Sequence, residues 1–444
     1  MRELAGWGRY PRHRSDLIAP PDPSRAAAAA AGRTGLIARG NGRAYGDAAI
    51  GDRVTLHTGG LDRIRSFDRL SGRIRAEAGV LLANLLDIVV PAGFFPPVVP
   101  GTKLVTIGGM IASDVHGKNH HRDGGFGDHV EELTLALPDG STMVCGPEQN
   151  AELFWATVGG MGLTGTILDA TFRLKRIETG WMRQTTLAAP DLSSAMRALE
   201  ETEDFTYVVA WIDCLARGSS LGRSLIYAAE HATLADIDAL RPGADPFPTK
   251  KAGRLSVPLD LPSFTLNRLS VAAFNEIYYR AGARKVGAPQ LIPWEPYFFP
   301  LDGIGDWNRI YGSRGFVQYQ CVIPTDRARQ VLEEVLVRSS QQGTASFLAV
   351  LKKLGAGRGD LSFPMDGFTL TLDLPVSDTV FPLLDELDRL VVEAGGRLYL
   401  AKDARQSRET FEAGYPGLVR FRDTRQAIGA AGRLSSKLSA RLGI

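Results

Sequence analysis

Cysteine is scarce in this 444-residue chain: Cys145, Cys214 and Cys321 are far apart and odd in number. That argues against a disulfide framework or a thiolate zinc cluster, and a reducing compartment is the expectation. An excess of charge of one sign is also lacking. The formal net charge is +2, with 44% hydrophobic and 23% charged residues, the composition of a globular protein whose overall field is too weak to bind nucleic acid. Long apolar runs are missing as well. The most apolar stretch, "VLLANLLDIVVPAGFFPPVVP" (80–100), is broken by Asn84, Asp87 and several prolines, and the start, "MRELAGWGRYPRHRSD", has no apolar core. Neither a signal peptide nor a membrane span is expected, and the expected location is cytoplasmic or peripheral at the inner membrane. The length predicts two or three domains.

Glycine is plentiful, 49 residues, and it clusters in the first third of the chain. "RGNGRAYGD" (39–47) follows an expected strand at Leu36 to Arg39, which in turn follows an expected helix from Ala26 to Ala31 capped by Ser24. "VPGTKLVTIGGMIASDVHG" (99–117) and "VGGMGLTGTILDATFRL" (158–174) are the other two glycine-rich runs. The first contains a G-x-G, but Gly46 comes one residue late for a dinucleotide fingerprint and no helix pattern follows, so a Rossmann site is not expected. Each loop alone reads as a turn. Three in one domain point to a large phosphate-bearing cofactor, because successive backbone N–H groups in tight turns form anion nests.

Four of the seven histidines, His116, His120, His121 and His129, fall within fourteen residues. His116 and His120 have helical metal-site spacing, yet Gly117 and Asn119 weaken a helix and no H-E-x-x-H pattern is present, so no metal site is assigned. Exposed loop histidines are the other reading, His120 and His121 above all. Further on, 315–401 reads as strand, helix, strand, strand, helix, strand, a ferredoxin-like unit with its second helix running from Ser377 to Gly395 and with helices on one face of an antiparallel sheet. Period two places Gln318 with Gln320, and Thr369, Thr371 and Asp373 together, with Lys352 joining them. That row is either an ordinary solvated sheet face or the floor of a sugar pocket.

The segments "ARGNGRAYGD", "VPGTKLVTIGGMIASDVHGKNHH" and "AELFWATVGGMGLTGTI" resemble the FAD-binding domain of the vanillyl-alcohol-oxidase type of flavoprotein. "WNRIYG" (307–312), "FVQYQCVIPT" (316–325), "LSFP" (361–364), "GGRLYLAKDAR" (395–405) and "ETFEAGYP" (409–416) narrow the resemblance to the decaprenylphosphoryl-β-D-ribose 2-oxidase family, the flavoprotein half of a two-enzyme 2-epimerase. The likeness spans nearly the whole chain and is loosest over about 175–290. It implies an α+β, two-domain PCMH-type FAD-binding fold with a substrate domain built on an antiparallel sheet covered by helices. The implied division is 1–178 for FAD, 179–396 for substrate with a mobile loop near 241–264, and 397–444 returning to the FAD domain.

By the same resemblance, noncovalent FAD is held by Ala38, Arg39, Gly40, Asn41, Gly42, Arg43, Ala44, Tyr45, Gly46, Asp47 and Ala48, by Gly101, Thr106, Ile107, Gly108 and Gly109, by Ser113, Asp114, Val115 and His116, and by Ile167 and Tyr399. Arg43 stands where sugar oxidases of the superfamily carry a flavin-linking histidine. Lys402 binds the reacting hydroxyl and helps move its proton, with Tyr45 and His116 beside it, while Gln320, Lys352, Thr369, Thr371 and Lys402 line the substrate pocket. Thr369 and Thr371 replace an Asn-x-Cys of mycobacterial members, and Phe298 replaces a Tyr, which puts the lipid or sugar preference in doubt. The implied chemistry is oxidation of the 2-hydroxyl of a polyprenylphosphoryl ribose, with a short-chain NAD(P)H-dependent 2-keto reductase as companion.

From Lys250 to Lys285 seven basic residues (Lys250, Lys251, Arg254, Arg268, Arg280, Arg284, Lys285) face two acidic ones, Asp260 and Glu276. The local net charge of +5 is either solvated charge or a match for anionic lipid. The rival readings are a soluble polyol or aldonolactone oxidase and, in another class, a noncatalytic flavin-binding scaffold.

Overall fold

The computed structural model describes residues 1–248, 255–262, 265, 267–342, 346 and 348–444. Lys250, Lys251 and Arg254 lie outside the described residues, as do 249–254 and 263–264 of the expected 241–264 loop.

Its largest element is an eight-stranded sheet: β1 Trp181–Ala189, β2 Tyr207–Ile212, β3 Ser224–His231, β4 Gln290–Pro293, β5 Phe316–Pro324, β6 Ala349–Leu354, β7 Gly367–Pro375 and β8 Arg397–Leu398. The spatial order is β4-β1-β3-β2-β6-β7-β5-β8. This is one arrangement read twice in opposite directions. Strands β1 to β4, with α1 (Leu192–Glu201) and α2 (Arg268–Ala283), repeat the β-α-β-β-α-β order of β5 to β8 with α3 (Thr325–Gln341) and α4 (Val380–Glu393). The two units meet at β2 and β6, where Ala210 pairs with Leu351 and Trp211 with Val350.

Alternation sorts the two faces. In β7, Phe368, Leu370, Leu372 and Leu374 turn to the back, where they pack with Leu332, Val335 and Leu336 of α3 and Leu383, Leu384 and Leu387 of α4. Each such side chain contributes about 1.5–3 kcal/mol when fully buried. α4 begins at Val380 rather than Ser377, whose hydroxyl instead meets Thr379 at 3.3 Å.

Among the described residues before Trp181 there are two larger sheets, besides a two-stranded pairing of Phe94–Phe95 with Lys175–Arg176. Arg2–Ala5, Arg12–Ile18, Val54–His57 and Leu36–Arg39 make one of four strands. The other has five antiparallel strands, Ile64–Asp68, Arg73–Glu77, Thr166–Arg173, Val130–Ala136 and Thr142–Cys145. The helix Leu82–Val89 packs on this part through Leu82, Leu85, Leu86 and Val89, the i, i+3, i+4, i+7 stripe of an amphipathic helix. The early alanine helix spans Pro23–Ala30, and its cap is Asp22 rather than Ser24: the carboxylate accepts from the Arg25 N–H at 2.9 Å. Pro23 fits the first turn because the N–H it lacks would be unpaired there anyway.

The chain's end returns to this region. Leu434 bridges Leu36 and Ser436 bridges Gly51, while Phe411, Leu418 and Phe421 share a core with Ile37, Ala156 and Leu163.

Candidate active site

A cavity of about 630 Å³ runs between the glycine loops and the front face of the eight-stranded sheet, within the usual size range of a cofactor or ligand site. Two loops close on each other to make its phosphate-facing end. A Cβ on Gly40 would lie 2.2 Å from Thr106 Oγ1, so no side chain fits between them. Gly42 has φ +65°, the left-handed backbone that glycine adopts without strain. The N–H groups of Asn41, Gly42 and Ala44 find no acceptor among the described residues. Unpaired N–H groups in a glycine turn are suited to a phosphate anion, and so this end fits the pyrophosphate of FAD.

Of the expected cofactor residues, Ala38, Gly40, Asn41, Gly42, Arg43, Ala44, Tyr45, Ala48, Gly101, Thr106, Gly108, Gly109, Ser113, Val115, His116, Ile167 and Tyr399 line the cavity. Arg39, Gly46, Asp47, Ile107 and Asp114 do not; they stand behind the wall. The Arg39 guanidinium donates to the Ala5 carbonyl at 2.7 Å. Ile107 is fully buried in the core. Asp47 and Asp403 are both held by Arg441, at 3.0 and 2.9 Å, and a Cβ on Gly46 would strike the Asp403 carbonyl. Asp114 accepts from the Ser362 hydroxyl and, at 3.1 Å, from the Gly127 N–H.

These supports carry the reactive end. The Tyr45 N–H donates to the Ala401 carbonyl at 3.0 Å, which ties the first glycine loop to the turn bearing Lys402. Lys402 Nζ then sits 3.8 Å from the centre of the Tyr45 ring. Burial pulls Lys402 below the ordinary lysine range; the neighbouring Asp373 carboxylate opposes that shift and Lys352 reinforces it. Burial pushes Asp373 upward, and the Gln318 amide donates to it. The Tyr45 phenol is raised well above its usual value, chiefly by burial, so it stays protonated.

His116 is held from the sheet. The Gln320 amide nitrogen lies 3.0 Å from His116 Nε2 and 3.3 Å from Thr369 Oγ1, so with the amide donating, Nε2 is the acceptor of a neutral ring. Burial and the positive charges of Lys352, His120 and Lys402 depress its pKa in agreement. Its Nδ1 is buried without a partner among the described residues. Tyr399 donates through its hydroxyl to the Ser113 carbonyl at 2.8 Å, and its ring lies 5.2 Å from that of His116.

Gln320, Lys352, Thr371 and Lys402 line the cavity, whereas Thr369 does not and reaches it only through Gln320. His120, expected as an exposed loop residue, is 2% exposed, and its Nδ1 accepts from the Gly355 N–H at 3.1 Å. His121 is half-buried against the Phe205 carbonyl.

Several cavity residues escaped the sequence reading. Gln318 is not one of them: the period-two reading placed it with Gln320, and it lines the cavity. Lys118 stands inside "HGKNHH", a motif read for its histidines alone. Gln184, Thr186, Trp211 and Tyr227 come from β1 to β3, whose alternation in "YVVAWI" and "SLIYAAEH" was the available signal. Tyr278 of α2 joins them: its ring is 4.8 Å from Trp211, and its hydroxyl accepts from Tyr227 at 3.0 Å.

Residues 24–146 match the family model of an FAD binding domain. Over 460 aligned positions the chain is 36% identical to the decaprenylphosphoryl-β-D-ribose oxidase of Mycolicibacterium smegmatis, covering 99% of this chain and 97% of that protein. It is also 36% identical to an uncharacterized protein of Streptomyces coelicolor, over 82% of this chain and all of the other. The L-gulonolactone oxidase of Mus musculus is 30% identical over 134 residues, 30% of each chain.

Proposed function

The chain belongs to the decaprenylphosphoryl-β-D-ribose oxidase family, and from that premise we propose that it oxidises the 2-hydroxyl of a polyprenylphosphoryl-β-D-ribose to the 2-keto sugar. It is an FAD-dependent oxidoreductase acting on a CH–OH group. The observation that carries the finer reading is the placing of Lys402, with its lowered pKa, against Tyr45 at the point where the glycine loops meet the polar strand face.

Bound FAD supplies the two-electron acceptor for the carbinol hydrogen. The protein's share is to bind, orient and deprotonate. Lys402, partly neutral because burial disfavours its ammonium, accepts the hydroxyl proton as the C–H bond is lost and the C=O bond forms. Tyr45 and neutral His116 flank the carbon, and Gln320 fixes the His116 ring. Lys352 and Thr371 line the pocket beside the sugar, and Thr369 braces Gln320. No thiol stands at Thr371, and the oxidation needs none. The glycine loops of residues 1–178 hold the cofactor, 179–396 the substrate, and 397–444 carries Lys402 back to the flavin. We infer that FAD is held noncovalently: Arg43, whose guanidinium stacks on Trp7 at 3.8 Å, stands where sugar oxidases of the superfamily carry a flavin-linking histidine.

The 2-keto product calls for a second enzyme, a short-chain NAD(P)H-dependent reductase that returns the hydride from the opposite face and yields the arabinose epimer. No helix among the described residues is long and apolar enough to cross a membrane. The lipid substrate is met at a membrane surface by α2, where Leu269 is 82% and Ile277 70% exposed beside Arg268, Arg280, Arg284 and Lys285. Such a face combines apolar insertion with attraction to anionic headgroups.

The deciding experiment is the anaerobic visible spectrum before and after adding a polyprenylphosphoryl ribose. Bleaching of the flavin bands is expected. A spectrum that persists with this substrate but bleaches with a free polyol or aldonolactone would replace the reading with the soluble-sugar one. Pull-down by anionic vesicles at low salt tests the membrane face, and its absence there would remove that contact.

A further inference from the structure

We infer that Lys118 and Lys352 form a subsite for a phosphodiester anion at the seam where the two halves of the sheet meet. The inference rests on the lipid-linked substrate proposed above and assigns the part of that substrate between sugar and lipid.

The two lysines reach the seam from different parts of the chain. The Lys118 carbonyl accepts from the Val208 N–H of β2 at 2.8 Å. Lys352 lies on β6, the strand paired with β2 through Ala210–Leu351 and Trp211–Val350. Both side chains line the cavity.

Neither has a carboxylate partner among the described residues. Lys118 Nζ donates to the Tyr297 carbonyl and lies 4.0 Å from the centre of the Tyr297 ring; Lys352 Nζ has neither hydrogen bond nor ion pair there. The ionisable groups around them are mainly basic: His116, His120 and Lys402, with Asp373 the acidic exception, already engaged by Gln318. Burial and the charge of Lys352 bring Lys118 down to about 7, and burial brings Lys352 down to about 8. Two buried ammonium groups without a counter-charge are costly unless a ligand brings one. A phosphodiester offers one negative charge and two free oxygens, enough for one oxygen on each lysine.

The order of side chains across the front face supports the same assignment. Strand by strand from β5 through β7, β6 and β2 to β3 it runs Gln320, Thr371, Lys352, Trp211, Tyr227, with Lys352, which faces Thr369, and Tyr227 one same-face position along from the rung Gln320–Thr371–Val350–Trp211. A hydroxyl-binding end, a cationic middle and an aromatic end follow one another. Sugar, phosphate and prenyl chain follow one another in the same order in a polyprenylphosphoryl ribose.

The test compares farnesylphosphoryl ribose with the neutral farnesyl ribofuranoside, by equilibrium binding to the FAD-loaded enzyme and by anaerobic flavin reduction. Lys118→Gln is expected to weaken the phosphodiester tenfold or more while changing the neutral glycoside less than threefold; Lys352→Gln, which also removes a group beside the sugar, is expected to weaken both ligands, the phosphodiester at least threefold more than the glycoside. Lys118→Arg is expected to restore most of the loss, and flavin content is expected to stay at the wild-type ratio. Equal losses for both ligands would overturn the subsite while leaving the oxidation intact. Loss of flavin from Lys118→Gln would instead assign the anion to the cofactor and overturn it too. If inorganic phosphate binds the lysine pair as tightly as the diester does, the site takes a free anion and the assignment to the substrate's phosphodiester falls. Selective loss of phosphodiester binding without any flavin reduction would uphold the subsite and refute the oxidation. Wild-type enzyme that binds neither ligand would refute both.

Discussion

The two halves of the eight-stranded sheet share an order of strands and helices and differ in what they offer the cavity. In β5 to β8 both helices cover the back, so the front presents Gln318, Gln320, Lys352 and Thr371 to a ligand. In β1 to β4 α1 covers the back, joined there by Val271 at the start of α2, and the rest of α2 has crossed to the front: Gly282 closes on Leu225, and Tyr278 meets Trp211 and Tyr227. One half is left open for polar chemistry and the other is roofed with aromatic surface. A repeated topology sets where strands lie; which face the last helix takes decides what kind of ligand each half can bind.

The division between the halves can be tested by substitutions on either side. The largest effect is expected from Lys402→Ala on the polar side, a fall in anaerobic flavin reduction of about a thousandfold, typical of a lost general base, with FAD still bound. Near-normal reduction would remove Lys402 from the proton transfer. Next comes Gln320→Ala, which frees the His116 ring and should lower kcat/KM about tenfold to a hundredfold, the range for a hydrogen bond inside a site. On the aromatic side, Trp211→Ala should raise KM for a farnesyl-chain substrate about tenfold, some 1.4 kcal/mol of apolar contact. A substrate with a two-carbon chain should feel almost none of it, and equal effects on both chains would erase the division between the halves.

The smallest effect is a shift in pH profile. Reduction should rise with pH as Lys402 loses its proton, on a limb below the ordinary lysine range because burial lowers the pKa. The Asp373 carboxylate opposes that lowering. Asp373→Asn therefore lets the pKa fall further, and the limb should move to lower pH by about one unit or less. A limb that moves upward would mean that Asp373 acts on Lys402 by some other route.

The second half-sheet was legible because each of its signals is local. "FTLTLDLP" alternates strictly, its helices carry apolar stripes, and Gly395 takes the positive φ that ends α4. The first half was unread because its repeat is interrupted. A long Pro- and Gly-rich connection precedes α2, and α2 has its apolar residues spread around it, with Leu269 and Ile277 facing solvent, so no periodicity marks it as the counterpart of α4. Asp22 displaced Ser24 as a helix cap because Pro23 suits the first turn better than the residue before it. His120 looked like a loop residue beside charged neighbours, yet Gly355 from β6's far end covers it, a contact 235 residues away in the chain.

From the sequence alone came the glycine loops with their affinity for a phosphate-bearing cofactor, the β-α-β-β-α-β unit, and Lys402, Tyr45 and His116 as residues of interest. The loops and the unit depend on short-range spacing, which the order of residues records directly; the three residues were implied by the family resemblance of the motifs that contain them. Tertiary structure alone decided that Arg39, Asp47 and Asp114 brace the wall instead of facing the cavity, and that α2 roofs half the sheet. It also brought Lys118 and Lys352, more than two hundred positions apart, to one seam. Burial and charge proximity set a lysine's pKa and a pocket's polarity, and both are properties of neighbours in space that no local pattern in the chain encodes.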